Sequence, residues 1–291
     1  PLPHRLREMA QRLPSIAAWN DLVLPIDVKA RLEELCHQAR LQHTVLVDGG
    51  FGRRLARGRG VTGLFCGPSG TGKTMAAEVI AHRLGRELYR VDFARVVSKY
   101  IGETERNLRQ IFTEAERARC VLFFDEADAL FGKRTEIRDS HDRYANLEVS
   151  YLLQLFEEAE HAVVLLATNR RQGIDDAFAR RFRFVVDFPM PNAALRRELW
   201  RTSFSAEMPL DESVRVDVLA DRLPLSGASI RNIALASAFL AVSEHDGAPA
   251  AIGAEHIVSA ALREMEKLSS PMPVTAADIT AAPKPLRRAA R

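Results

Sequence analysis

Long apolar runs are missing from this 291-residue sequence. None approaches the roughly 20 residues that a membrane-spanning helix needs, and the opening PLPHRLREMAQRLP has no apolar core of the kind that marks a secretory signal. A cytoplasmic location is the expectation. The chain opens on Pro1 rather than Met, which reads as a fragment or a processed form. Cysteine is scarce: Cys36, Cys66 and Cys120 are scattered beside apolar runs, with no CxxC and no spacing to a histidine pair. That excludes a disulfide scaffold and a zinc ribbon, and leaves the three as reduced packing residues. The eight histidines form no HExxH or other ligand spacing, so no transition-metal site is expected. A surplus of one charge is also lacking in the body of the chain. The net charge is +3, and the tail from Pro271 holds Lys284, Arg287, Arg288 and Arg291 against Asp278, so the other 270 residues are formally neutral. A neutral body is poor ground for a nucleic-acid groove.

What is present is enough apolar material for a substantial core, 47% of residues against 27% charged. No repeat runs through it. Apolar segments of strand length alternate with longer helical patterns: VTGLFC (61–66) before a helix over Lys73 to Leu84, then LYRVD (88–92) before one from about Thr104 to Arg117. VLFFD (121–125), a helical stretch around Asn146 to Glu160, VVLLAT (163–168) and FVVDF (184–188) complete the series. Strands alternating with helices imply a mostly parallel sheet covered on both faces. After PMP (189–191) the strand signal stops, and four helical patterns follow, Asn192 to about Phe204, Glu212 to Leu223, Ser226 to Val242 and Ala254 to Leu268. The expected fold is an α/β P-loop parallel-sheet domain followed by a small helical lid. Its boundaries are an N-terminal extension (1–20), the nucleotide-binding domain (21–190), the lid (191–268) and a disordered basic tail (269–291).

The phosphate-binding signal is GPSGTGKT (67–74), which fits GxxxxGK[ST] and stands where that loop must, after a strand and opening a helix. Gly67, Gly70 and Gly72 let the backbone curl so that its N–H groups and the helix N-terminus face phosphates. With Pro68, Ser69, Thr71 and Met75 they form the expected ATP-binding set, in which Lys73 reaches the β and γ phosphates and Thr74 ligates Mg²⁺. VLFFDEAD (121–128) ends a buried strand in two carboxylates: Asp125 suits Mg²⁺, and Glu126 suits polarising the attacking water. VVLLATNRR places Asn169 at the end of the next strand, where its amide would orient that water. DDAFARRFRF then carries Arg180, Arg181 and Arg183, which read either as a solvated edge before a buried strand or as rim arginines that, supplied to a neighbouring subunit, would stabilise phosphoryl-transfer charge.

In this order, WNDLVLP, GPSGTGKT, SKYIGETE, VLFFDEADALF, ATNRR, DDAFARRFRF and LSGASIRN, the motifs resemble the protein-remodelling branch of the AAA+ ATPase family, over roughly Trp19 to Leu268. The resemblance implies a ring, usually a homohexamer, with ATP at subunit interfaces. It also implies that Lys99, Tyr100, Ile101 and Gly102 form a pore loop that grips an extended protein substrate. The longer runs VVSKYIGETERNLR and KRTEIRDSHDRYANLEVSYLLQ are further similar to the single-ring ATPases of bacterial contractile injection systems.

Two positions depart from the family pattern. Arg180 and Arg181 are adjacent where many members separate two arginines, so either is a candidate to act across the interface and Arg183 less so. Ser229 stands where some branches place a nucleotide-sensing arginine, and Arg231 is not expected to be catalytic. DRYAN (142–146), with Arg134, Arg138 and His141, reads equally as a second pore loop or a charged connector. The functional expectation is a protein-remodelling ATP-hydrolysing motor; a nucleic-acid motor or loader is the alternative, and a non-hydrolysing scaffold is disfavoured by Asp125, Glu126 and Asn169.

Overall fold

The computed structural model describes residues 9–55, 58–91, 96, 103–128, 150–170, 174 and 176–280. The pore-loop residues Lys99 to Gly102 and the DRYAN segment lie outside them. The chain divides into two compact units, 1–189 and 190–291.

The first unit is built on a six-stranded sheet. Its strands are β1 (Ala10–Leu13), β2 (Val61–Cys66), β3 (Leu88–Val91), β4 (Val121–Phe124), β5 (Val163–Thr168) and β6 (Phe184–Asp187). The spatial order is β1-β3-β4-β5-β2-β6. β2 to β6 are mutually parallel, and β1 is added antiparallel on the edge of β3. Period-two alternation sorts the strand side chains onto two cores. Val121 and Phe123 face α1 (Ile26–His43) and α2 (Lys73–Leu84), whereas Leu122 and Phe124 face α3 (Glu103–Ala118) and a fourth helix, α4, described over 150–158. Both faces are thereby covered, which is why the strands read as near-continuous apolar runs. Cys36, Cys66 and Cys120 are buried and form no disulfide; burial pushes the Cys36 thiol up to about 11 and that of Cys120 to about 12.

Two elements of this unit went unread in the sequence. β1 pairs Ala10 with Val91 and Leu13 with Leu88, so the N-terminal extension completes the sheet. α1 buries Val28, Leu32, Leu35, Cys36 and Ala39, a spacing of three and four that places them on one helical face.

The second unit is helical: α6 (Ala193–Thr202), α7 (Val216–Arg222), α8 (Gly227–Glu244), α9 (Ala254–Lys267) and α10 (Ala276–Thr280), with the single turn α5 (Asp176–Ala179) belonging to the first. Asn192 caps α6 by accepting from the Leu195 N–H, and Ser226 caps α8 by accepting from that of Ser229. Trp200, Leu219, Ile230, Ile233 and Ile257 form its core. The expectation of disorder from residue 269 is corrected here. Val274 and Ile279 are buried in that same core, and the Arg215 N–H donates to the Ile279 carbonyl, so the segment through Thr280 is part of the unit. Two well-spaced apolar residues among alanines are a weak sequence signal, but they fill a site made by distant helices. Among the described residues no helix is long and apolar enough to cross a membrane.

Candidate nucleotide site

The site stands at the C-terminal edge of the sheet, where β2 is flanked by β5 on one side and β6 on the other. Strand order reverses there, the position at which open α/β sheets bind ligands. A cavity of about 560 Å³ opens between Gly67 and Pro68, Asn169 and Arg170, and Asp187 to Pro189.

Gly67 has φ of 148°, and a Cβ there would lie 2.1 Å from the Phe188 carbonyl oxygen. No side chain fits, so the loop can turn tightly against the end of β6. Gly72, with φ of 103°, immediately precedes α2, and its carbonyl accepts the first helical bond from the Ala76 N–H at 2.8 Å. The Thr71 hydroxyl closes the loop on the Pro68 carbonyl at 2.8 Å.

Lys73 is buried in this loop, and its three ammonium donors all have acceptors: the Gly67 carbonyl at 2.6 Å, the Pro68 carbonyl at 2.9 Å and Asn169 Oδ1 at 2.9 Å. Burial holds its pKa below the ordinary lysine value, with the charges of Asp125 and Asp128 pulling the other way. The Thr74 hydroxyl donates to Asp125 Oδ2 at 3.3 Å. A hydroxyl and a carboxylate this close, beside phosphate ligands, suit a hard cation that keeps much of its water shell. The Thr74 hydroxyl and the Asp125 carboxylate are oxygen donors of the kind that fits Mg²⁺ held jointly with phosphate.

Glu126 is exposed and has φ of 52°, the left-handed region, with its N–H donating to Asp125 Oδ1 at 3.0 Å. A non-glycine residue held there costs on the order of 1 kcal/mol or more. The twist sends Asp125 and Glu126 to separate positions, one toward Thr74 and the other toward solvent. Sequence spacing gave no hint of it.

Asp128, the last residue of VLFFDEAD, is the functional side chain that sequence reasoning passed over. It accepts from the Thr168 hydroxyl at 2.6 Å, from the Asn169 N–H at 3.0 Å and from Asn169 Nδ2 at 3.0 Å. With its amide nitrogen tied down, Asn169 must present its oxygen to Lys73. A continuous chain therefore runs Asp128, Asn169, Lys73, linking the ends of β4 and β5 to the loop after β2. The clue was a third carboxylate, three residues after Asp125, in a turn that returns toward β5.

The three arginines separate by environment. Arg183 sends Nη2 to the Gly58 carbonyl at 2.9 Å and its N–H to the Thr62 hydroxyl at 3.0 Å, bracing β6 on β2; burial lowers its pKa. Arg181 Nη1 stands 3.4 Å from Glu157 Oε1. Arg180 is exposed, and its side chain forms no ion pair or hydrogen bond among the described residues. All three precede β6, whereas the phosphate loop follows β2, and the parallel register pairs Gly63 with Phe184 and Cys66 with Asp187. They therefore lie at the opposite edge of the sheet, about 13 Å away along the four residues of β6. In the helical unit, Ser229 is buried under its cap and Arg231 is exposed.

A parallel sheet with this loop, paired Thr and Asp, and a strand-end Asn defines a P-loop nucleotide-binding domain. Residues 63–190 match the ATPase family associated with various cellular activities (AAA), and this part of the chain is an AAA ATPase domain. The chain is similar to the uncharacterised AAA family ATPase y4kL of Sinorhizobium fredii, 42% identical over 132 residues, 45% of this chain and 40% of that protein. It is 35% identical over 188 residues to the 26S proteasome regulatory subunit 7 homolog B of Arabidopsis thaliana, covering 62% of this chain and 40% of that one. With the proteasome-activating nucleotidase of Sulfurisphaera tokodaii it shares 32% over 186 residues, 62% of this chain and 47% of the other. The chain spans less than half the length of each of these relatives.

Proposed function

We propose that this protein is a ring-forming, ATP-hydrolysing motor that pulls on protein substrates. The observation that carries the ring is the position of Arg180 and Arg181 at the sheet edge opposite the phosphate loop of the same chain. An arginine there cannot reach its own γ-phosphate, but it can reach one bound to a neighbour in a head-to-tail ring, where a guanidinium stabilises transferring phosphoryl charge. Arg180 is the better candidate, because Arg181 is occupied by Glu157. Homohexameric assembly with ATP between subunits follows the family resemblance, as does the helical unit's part as a lid. The similarity to contractile-injection-system ATPases rests on the sequence runs alone.

In the reaction, Lys73 exchanges its loop carbonyls for the β and γ phosphates, and backbone N–H groups at the start of α2 receive the remaining oxygens. Thr74 and Asp125 would hold Mg²⁺, which when bound neutralises phosphate charge. Glu126 takes a proton from water, the water oxygen bonds to the γ-phosphorus, and the bond from that phosphorus to the β–γ bridging oxygen breaks, leaving ADP and phosphate. Asn169, its amide nitrogen fixed by Asp128, orients the water through its oxygen once phosphate has drawn Lys73 away.

Protein as the substrate is supported by the proteasomal relatives and by the aromatic–aliphatic pair Tyr100 and Ile101 before Gly102. Apolar side chains grip an unfolded chain without reading its sequence. Tyr100→Ala tests this. It is expected to melt within a few degrees of wild type and to retain basal ATP hydrolysis, while losing stimulation of hydrolysis by an unfolded protein. Early melting, as the roughly 3 to 5 kcal/mol for a deleted core aromatic would cause, or undiminished stimulation, contradicts the pore-loop reading.

A further inference from the structure

A second cavity, of about 440 Å³, lies at the other end of the sheet. Arg59, Arg86, Arg119 and His161 each stand two residues ahead of a parallel strand, before β2, β3, β4 and β5 respectively, and all four line it. The parallel pairing brings these strand entrances together at one edge. The six residues of β2 put that edge about 20 Å from the phosphate loop. From α1 and the turns after it come Arg40 and Arg53, with Ala39, Leu46 and Val47 as an apolar wall.

The positive charge is far from balanced locally. Among the described residues that line the cavity Glu160 is the only carboxylate, and it is spent on Arg59, at 3.1 Å. Glu116, nearby, accepts from the N–H groups of Glu160, His161 and Ala162, and it also draws on Arg86 electrostatically. The side chains of Arg40, Arg53 and Arg119 form no ion pair or hydrogen bond among the described residues, although the Arg53 and Arg119 N–H groups donate to the Gly50 and Glu116 carbonyls. Arg86 donates to the His161 carbonyl at 2.9 Å and is held in place, with burial and then the nearby Arg119 lowering its pKa. Arg59 is fixed by two further acceptors, the Leu55 carbonyl at 3.1 Å and that of Gly52 at 3.0 Å.

Two backbone features point the same way. Arg119 has φ of 50° at the end of α3, a left-handed position where glycine carries no steric cost. A π-helical stretch, Thr44–Asp48, extends α1 beside the cavity, and such distortions occur frequently at functional sites. Gln42 anchors it by donating to the Arg59 carbonyl at 2.8 Å and also to the Glu160 carbonyl.

We propose that this cavity binds a phosphorylated small molecule, its phosphates on the converging arginines and its carbon skeleton against the apolar wall, at a site separate from the ATP site. The planar forks of Arg53, Arg86 and Arg119 match phosphate oxygens, and a cavity of this size suits one small ligand. Such a ligand would join α1 to the entrances of four strands.

Calorimetric titration with fructose 1,6-bisphosphate tests the assignment, with inorganic tripolyphosphate and a hexaglutamate peptide as the other arms. A Lys73→Ala background removes the phosphate loop's own contribution. The sugar bisphosphate is expected to bind that background, and Arg53→Ser or Arg119→Gly to weaken it by about tenfold or more, the scale of one lost charge-assisted hydrogen bond. Introduced alone, with Lys73 intact, Arg119→Gly should raise the melting temperature by relieving the backbone and leave basal ATP hydrolysis unchanged, which separates lost binding from lost folding. The proposal is overturned by loss of all binding with Lys73→Ala, or by unchanged affinity in both arginine variants. Tighter binding of tripolyphosphate would remove the part given to the apolar wall, and tighter binding of hexaglutamate would replace the ligand class; either result contradicts the assignment.

Discussion

The two edges of the parallel sheet handle positive charge in opposite ways. At the C-terminal edge Lys73 is buried and has an acceptor for each of its three donors, inside a chain that continues through Asn169 to Asp128. At the N-terminal edge, arginines crowd together with one paired carboxylate among the described lining residues, and the side chains of Arg40, Arg53 and Arg119 have no ion pair or hydrogen bond among the described residues. A cation satisfied within its own chain belongs to a site that chain can assemble alone, whereas exposed guanidinium groups with no partner point to something the chain does not contain. On the proposed reading that is a neighbour's ATP for Arg180 and a phosphorylated ligand for Arg53 and Arg119, with Arg86 already held by the His161 carbonyl.

The largest effect should come from cutting the chemistry at the C-terminal edge while leaving the other edge intact. Glu126→Gln is expected to keep ATP binding and to slow turnover by at least about a hundredfold, the scale of a lost general base. Lys73→Ala should instead weaken binding itself, as read by equilibrium titration with nucleotide. Near-normal turnover of Glu126→Gln would remove that residue from the mechanism.

A smaller effect separates a working network from a merely structural one. Asp128→Asn keeps the shape but turns an acceptor into a donor facing Asn169, so turnover should fall by about tenfold with little change in KM. Because Asp128 acts through Asn169, the double variant with Asn169→Ala should be scarcely slower than the worse single one. Additive losses would break the proposed chain.

The smallest effect belongs to Arg183, which supports the edge without taking part in catalysis. Arg183→Ala should lower stability by about 1 kcal/mol through the lost bond to Gly58, read as a shifted urea midpoint, with turnover per folded molecule unchanged. A large catalytic loss would place Arg183 beside Arg180 instead.

Much of this layout was written in local signals. The helix over Lys73 to Leu84 stands where its pattern and its preceding glycine put it, and all five parallel strands coincide with apolar runs. Reading failed where the decisive partner is remote. The four residues of β1 make sense only as a partner for β3, and Ile279 looks solvated until the helical unit is assembled around it. α1 is a different case: its apolar residues at 28, 32, 35, 36 and 39 were legible, but they precede the recognisable motifs and went unread. At the site, motif spacing named Lys73, Thr74, Asp125, Glu126 and Asn169. Asp128 and the bracing role of Arg183 required bonds between residues 40 or more apart, which no local pattern encodes.

The claim that the two edges work on each other across a subunit interface has a direct test in mixed rings. Arg180→Ala subunits retain their own Glu126, and Glu126→Gln subunits retain Arg180, so each variant alone should hydrolyse ATP poorly while still binding it. Mixed in equal amounts and reassembled, about a quarter of sites would combine an intact Glu126 with a neighbour's Arg180 in a head-to-tail ring, and steady-state turnover should recover accordingly. Turnover that stays at the level of the separate variants, or full activity of Arg180→Ala on its own, would contradict the account.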